Sequence, residues 1–259
     1  MSDVQTEVDW SRVTTDDIEY KIAATRTERE EAFRLVYRAY FNAGLGEPNS
    51  YKMRVTPYHL LPTTEVFVAR YQEHTICTIT LVVDGELGLP MQGIYDAEVA
   101  ERREHGFRLG EVSCLADRRS EHRRSFPVFL RLCRFTAQYA WRSGLHQLLV
   151  AVHPRHAKFY RRFMDFRTIG EERTYPSVRN HPAVALELDL VRLHRERSEA
   201  YHTLFAPVIP YYLLQPQPIS PAQSDYFSAM VDPTFCLAPL GDAKGSERRD
   251  TAEVLLSVA

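Results

Sequence analysis

The stretch from Leu109 to Phe166 constrains this chain more than any other. Within it, Leu148-Leu149-Val150-Ala151-Val152 shows no alternation of apolar and polar residues, as suits a strand covered on both faces. Ahead of that strand, Phe129, Leu132, Cys133, Thr136, Tyr139 and Ala140 recur at helical spacing, while Arg131, Arg134, Gln138 and Arg142 fall opposite. This predicts an amphipathic helix over about Phe126 to Ser143. Ser125 and Pro127 suit its first turn, where proline lacks only an amide hydrogen that has no helical partner anyway, and Gly144 suits its end. A short strand, Leu109 to Ala116, precedes the helix, and a second helix ends near Phe163. Two strands joined through a helix should run parallel with a right-handed crossover. The result is a strand-helix-strand-helix unit, which the rest of the chain extends or covers.

Bulk properties narrow the function classes. A chain of 259 residues with 44% apolar content can bury a full core, and a net charge of -2 argues against general nucleic-acid binding. Met1 to Asp17 is polar and acidic without an apolar run, which reads as a flexible leader and not a signal peptide. No stretch approaches the roughly 20 apolar residues that span a bilayer. The cysteines, Cys77, Cys114, Cys133 and Cys236, are scattered and form no paired-ligand motif, so reduced thiols and a cytoplasmic location are expected.

In chain order, Ile18 to Thr25 reads as a first strand, and Thr27 with Glu30 as a capping box. The helix so begun should bury Phe33, Val36, Tyr37 and Tyr40 and stop near Gly44 or Gly46. Asn42 to Thr63 carries Pro48, Pro57 and Pro62 and reads as a long irregular connection, which compact domains usually keep for binding. Glu65 to Tyr71 and Thr75 to Asp84 form a predicted hairpin around Gln72-Glu73-His74. Tyr95 to His105 reads as a charged surface helix, and Arg167 to Thr174 and Ala183 to Leu190 as two further strands. The main domain is thus placed at residues 18–190. Beyond it, in 191–259, a helix over about Leu193 to Phe205 precedes seven of the 15 prolines, between Pro207 and Pro239. Prolines at that density argue against a regular element, and the neighbouring aromatics against a free tail. An extended segment laid across the domain is expected, with a loose end from Gly241.

Candidate chemistry centres on the first strand of the unit. Strand alternation puts Glu111, Ser113 and Leu115 on one face and Val112, Cys114 and Ala116 on the other. A carboxylate facing inward is costly unless paired or used. Burial would raise its pKa, which suits a base taking a proton from an ammonium nucleophile. We therefore read Glu111 as the base, with Ser113 orienting it or the substrate; the competing reading is a strand-end salt bridge with one of the arginines. Parity separates Cys114 from that face, so it reads as a buried structural thiol. His153 and His156 stand at the C-terminal end of a buried parallel strand, where open sheets place ligands. They read as substrate contacts or helix caps, and no metal site is expected. Arg54, Tyr51 and His59 lie in the long connection, which either closes over an acceptor or is a surface loop.

Gly110-Glu111-Val112-Ser113-Cys114-Leu115-Ala116, His153-Pro154-Arg155-His156 running into Phe159-Tyr160-Arg161-Arg162, and Gly170-Glu171-Glu172-Arg173 before Tyr175-Pro176 together resemble a known group. It is the N-acyl amino acid synthases of the FeeM type, within the GNAT acyltransferase fold. The likeness covers about Glu19 to Leu190. It implies an α/β fold, a GNAT-like mixed sheet with splayed central parallel strands flanked by helices. The implied reaction joins a long-chain fatty acyl group from acyl carrier protein to the α-amine of an amino acid, with tyrosine the acceptor suggested. It further implies that amides around Cys114, Leu115 and Ala116 hold the thioester carbonyl, and that Tyr160 protonates the leaving thiol. Asp165 stands where the family pattern has glycine.

Coenzyme A-dependent GNAT enzymes generally place a Gly-rich turn after the first strand, so that helix amides grip the pyrophosphate. Here Asp117 to Ser125 contains no glycine. Arg118, Arg119, Arg123 and Arg124 could instead receive the acidic surface of a carrier protein, whose phosphopantetheine arm is the expected donor, with coenzyme A as the second candidate. No tightly bound cofactor is expected. Homoserine lactone synthases share a Glu-x-Ser strand but follow Ser with Arg where Cys114 stands here. An exosortase-associated acyltransferase of unknown acceptor and a non-catalytic binding module with the GNAT shape compete with the synthase reading. The residues leave open the acceptor, the chain length, the assembly state and any peripheral membrane contact by the tail.

Overall fold

The structure, a computed structural model, describes residues 15–118, 122–232 and 235, without the side chains of 122–125. Most of the expected leader, the expected loose end and Cys236 therefore lie outside the described residues. The described residues form one seven-stranded sheet, with β1 (Glu19–Ile22), β2 (Thr64–Tyr71), β3 (His74–Val83), β4 (Leu109–Asp117), β5 (Gln147–Val152), β6 (Arg167–Tyr175) and β7 (His181–Asp189). Their order is β1-β2-β3-β4-β5-β7-β6; β4 and β5 are parallel and the other neighbours antiparallel. Helices α1 (Arg26–Asn42) and α2 (Gln92–Glu104) cover one face, and α3 (His122–Arg142) and α4 (Pro154–Phe163) the other. Among the described residues no helix is long and apolar enough to cross a membrane.

Several boundaries move for physical reasons. Thr25 caps α1, not Thr27: its Oγ1 accepts from the Glu28 amide (3.2 Å), and Glu28 Oε2 accepts from the Thr25 amide (3.0 Å). The two Thr-x-x-Glu boxes are equal in sequence, but Lys21 Nζ stands 2.8 Å from Glu28 and Arg70 Nη1 3.3 Å, so tertiary ion pairs select the first. Helix α3 begins at His122, which puts Pro127 inside it and not in the first turn. Helix α2 begins at Gln92 and is not purely a surface element. Tyr95 is fully buried, and its hydroxyl donates to the carbonyls of Ala183 (2.6 Å) and Glu171 (2.8 Å). A Cβ at Gly170 would stand 2.7 Å from the Tyr95 ring, and Arg173 lies over that ring (4.7 Å) while pairing with Glu98 (2.5 Å). The Gly170-Glu171-Glu172-Arg173 motif is therefore the seat of α2.

After β7 the single expected helix is two, α5 (Leu190–Glu196) and α6 (Glu199–Phe205), separated by Arg197 in the left-handed region (φ 52°). The proline-rich stretch also forms a helix, α7 (Pro221–Ser228). There Pro221 occupies the first turn behind a Ser220–Gln223 capping box, a position where proline costs no hydrogen bond. This segment is fastened by buried polar groups. Gln138, on the polar side of α3 by periodicity, is buried and accepts from the Ile209 amide (2.8 Å) while donating to the carbonyls of Leu204 (3.2 Å) and Pro207 (3.0 Å). Glu65 accepts from the Gln217 amide (3.1 Å) and from the Tyr139 hydroxyl (3.0 Å), and Arg29 donates to the Gln217 carbonyl (2.5 Å). Phe227 then packs edge-on against Phe33 of α1 (5.1 Å), and Val231 bridges to Val55.

Candidate active site

The site exists because β4 and β5 part. They pair only at Leu109–Gln147, Gly110–Leu148 and Glu111–Leu149, after which β5 continues with β7 and β4 with β3. Gly110 permits the close approach before the split: a Cβ there would stand 2.7 Å from Leu145 Cδ1 and 3.0 Å from Leu81 Cδ1. Past the split opens a cavity of about 770 Å³, a size typical of small-molecule sites. Its two halves differ in chemistry. Toward α3 and α4 it is walled by Cys133, Ala137, Leu148, Val150, Phe166 and Leu188; on the other side stand Arg54, His59, Glu111, Ser113, Tyr175 and Ser177.

Glu111 lies at the apex of the split, 2% exposed, with Oε2 accepting from the Met91 amide (2.7 Å). Burial pushes its carboxyl up to about 8, against the opposing pull of that amide. No arginine or lysine among the described residues lies within 4.0 Å of it, so the salt bridge that competed with the base reading is not made. Ser113 Oγ donates to Cys114 Sγ (3.4 Å), so the bond that orients Glu111 comes from a backbone amide at the start of α2 instead.

Strand parity fails just after Ser113. Thr80 faces Ser113 but Thr78 faces Ala116, so β4 carries one extra residue, and Cys114 takes a left-handed backbone (φ 51°). This corrects the alternation read from sequence. Cys114 and Ala116 pack against Leu35 and Val36 of α1, on the Glu111 face, and Leu115 is turned outward into the cavity mouth. Cys114 is buried, and burial pushes its thiol up, the opposite of an activated nucleophile.

Tyr160 projects from α4 into the cavity, edge-on to Phe166 (5.3 Å), and burial pushes its hydroxyl well above the usual range. Asp165 supplies the left-handed backbone (φ 60°) that a glycine would adopt freely, held by Arg192 Nη1 at 2.9 Å. His153 caps α4 through the Arg155 amide (3.3 Å), and His156 accepts from Arg155 Nε (3.0 Å); both also line the cavity. Arg54 reaches in from the long connection, over the Tyr40 ring (4.7 Å), with Nη2 donating to the Ser177 carbonyl (2.9 Å) and its buried Nε unpartnered. His59 is fully enclosed and held neutral, at about 3, by burial and by Arg54 and Arg29; its Nδ1 accepts from the Thr56 amide (2.9 Å). Tyr51 of the same connection stays on the surface. Arg118 lies at the end of β4, its amide bonded to Ile76, outside the cavity wall; Arg119 and the side chains of Arg123 and Arg124 lie outside the described residues. Periodicity carries no signal for the Met91 amide or for Phe235, which also lines the cavity.

A family model described as "N-acyl amino acid synthase FeeM" matches residues 31–189. Among solved structures, FeeM, an N-acyl amino acid synthase from uncultured soil microbes, is 27% identical with a TM-score of 0.61, covering 69% of this chain and 93% of that one. The AHL synthase LasI is 14% identical with a TM-score of 0.54, covering 74% of this chain and 96% of that one. BjaI, a CoA-dependent acyl-homoserine lactone synthase, is 13% identical with a TM-score of 0.51, covering 82% of this chain and all of the other. Those last two share the fold. No curated protein matches the chain in sequence.

Proposed function

Because this chain belongs to the FeeM family of N-acyl amino acid synthases, and so is an enzyme that transfers acyl groups, we propose that it joins a long-chain fatty acyl group, carried as a thioester on acyl carrier protein, to the α-amine of an amino acid. The observation that carries this reading is Glu111: a buried carboxyl poised at about 8, at the junction of an apolar half-cavity and a polar one. That value brings the carboxyl within about one to two pH units of a free amino acid's α-ammonium, which its own carboxylate makes more basic than the ~8 of a peptide α-amine, so proton transfer to Glu111 is only mildly uphill.

In this mechanism the acyl chain occupies the α3–α4 side, and the thioester carbonyl rests against the amides of Cys114 to Ala116. One such donor lowers the barrier by about 3 kcal/mol. The acceptor carboxylate pairs with Arg54, whose unpartnered Nε otherwise leaves a buried donor unsatisfied. Glu111 takes the ammonium proton, the amine attacks the carbonyl, and the C–N bond forms as the C–S bond breaks. Tyr160, still protonated, gives its proton to the departing thiolate and is reprotonated by the second proton that the acylated nitrogen sheds on becoming an amide, while Glu111 releases the ammonium proton it took to solvent. The carrier's arm enters past Phe126, Phe159 and His156, which line the mouth. Arg118 and the exposed Arg155, Lys158, Arg161 and Arg162 of α4 offer an acidic carrier a basic approach. Tyrosine is the first acceptor to test, on the family resemblance. The buried Cys114 thiol suits a reducing, cytoplasmic setting.

The test is purified protein with palmitoyl-loaded acyl carrier protein and all the amino acids, beside palmitoyl-coenzyme A, with products identified by mass. An N-acyl amino acid from the carrier-bound donor is expected. Product from coenzyme A alone overturns the donor, and no turnover of either thioester overturns the reaction.

A further inference from the structure

The family-matched region ends at residue 189, yet among the described residues two side chains beyond it stand in the cavity wall. Leu204 of α6, 2% exposed, joins Ala137 and Leu188 in the apolar half. Phe235 stands in the polar half, edge-on to Tyr58 (5.8 Å, 79°), and also lines a smaller pocket that it shares with Arg54 and Ser177. Neither side chain hangs from a free tail. The Leu204 carbonyl is held by Gln138 (3.2 Å); the Phe235 amide donates to Asp232 (3.1 Å), whose own amide donates to Val55 (3.0 Å). Between them, Gln217 is locked to Arg29 and Glu65.

We infer that this C-terminal extension sets the substrate range of the enzyme, with Leu204 bounding the acyl chain and Phe235 bounding the side chain of the acceptor. The inference rests on the acyl-transfer reading above. A hydrophobic wall discriminates by the space it leaves: roughly one methylene changes selectivity by about 10-fold or more. A wall residue on a fastened segment enforces that limit without induced movement.

Deleting the extension would strip Leu193, Leu204, Leu214 and Phe227 from the core, so point variants are the usable probes. Leu204→Phe should shorten the preferred chain and Leu204→Ala lengthen it, across acyl donors from octanoyl to stearoyl, each with a selectivity shift of about 10-fold and an unchanged order of amino acids. Phe235→Ala should admit bulkier amino acids by a similar factor and leave the chain-length profile as in wild type. General loosening would move both Leu204 variants in the same direction, and such a result overturns the inference, as do profiles that superimpose on wild type. Calorimetric binding of the free fatty acids and free amino acids to the same proteins reads the walls without turnover. A binding shift in a protein that makes no N-acyl amino acid overturns the acyl-transfer reading and keeps only Leu204 and Phe235 as walls of the ligand cavity; unchanged binding across all variants overturns the walls themselves.

Discussion

Replacing Glu111 with Gln should damage activity and improve stability, with both effects tied to one proton. A carboxyl whose value is raised from 4.5 to about 8 on folding binds its proton more tightly in the folded state. Its contribution to stability is therefore complete below 4.5 and is lost as pH rises through about 8. At 1.36 kcal/mol per pH unit the whole loss is about 5 kcal/mol. Glutamine keeps an oxygen for the Met91 amide but carries no charge, so E111Q escapes that loss. Its denaturation midpoint should match wild type near about pH 4 and exceed it progressively toward about pH 9. Activity should move the other way. Wild-type turnover should rise with pH and level off above about 8 as Glu111 ionises, with about a tenth of the limiting rate at about pH 7. E111Q should lose about 10²-fold or more in kcat, together with that pH dependence. Melts and initial rates over one pH series measure both. A salt-bridged Glu111 would give the reverse sign, E111Q being less stable at neutral pH, and that outcome, or an unchanged rate profile, refutes the reasoning.

Three further outcomes follow from the same geometry. Arg54→Met should raise the KM for the amino acid by about 10- to 100-fold, the value of a charged hydrogen bond. It should leave an acceptor amine that lacks the carboxylate unaffected, and equal losses on both acceptors would remove Arg54 as the carboxylate anchor. Tyr160→Phe should cut kcat by about 10²-fold at unchanged KM. An acyl thioester of an acidic aryl thiol, which needs no proton on leaving, should recover most of the rate; failure of that donor to do so argues against an acid role. Asp165→Ala should destabilise the fold by about 2 kcal/mol, because alanine pays for a left-handed backbone and Arg192 loses a partner. Asp165→Gly should recover part of this in chemical denaturation, and a glycine variant less stable than the alanine one contradicts the backbone argument.

Much of the fold was written locally. The unbroken apolar run Leu148 to Val152 and the stripe from Phe129 to Ala140 specify a covered strand and an amphipathic helix through side-chain spacing alone, and the structure keeps both as β5 and α3. Glu111 was legible for a similar reason: a carboxylate in an apolar strand needs a use or a partner. Where local signals tied or were silent, partners distant in the chain decided. Thr25 won over Thr27 because Lys21 and Arg70 meet Glu28, not Glu30. The extra residue after Ser113 turned Cys114 and Ala116 onto the Glu111 face, since register belongs to a pair of strands and not to either one. Pro221 began a helix where proline density argued against one, because a proline in a first turn loses no hydrogen bond. The sequence by itself determined most of the elements and the buried carboxylate at their centre, because periodicity and the cost of a buried charge act within a few residues. Only the tertiary structure decided the cavity between β4 and β5, the Met91 amide on Glu111 and the arrival of Leu204 and Phe235 in its wall. Each of these joins residues far apart in the chain, and no spacing in one stretch encodes where another will lie.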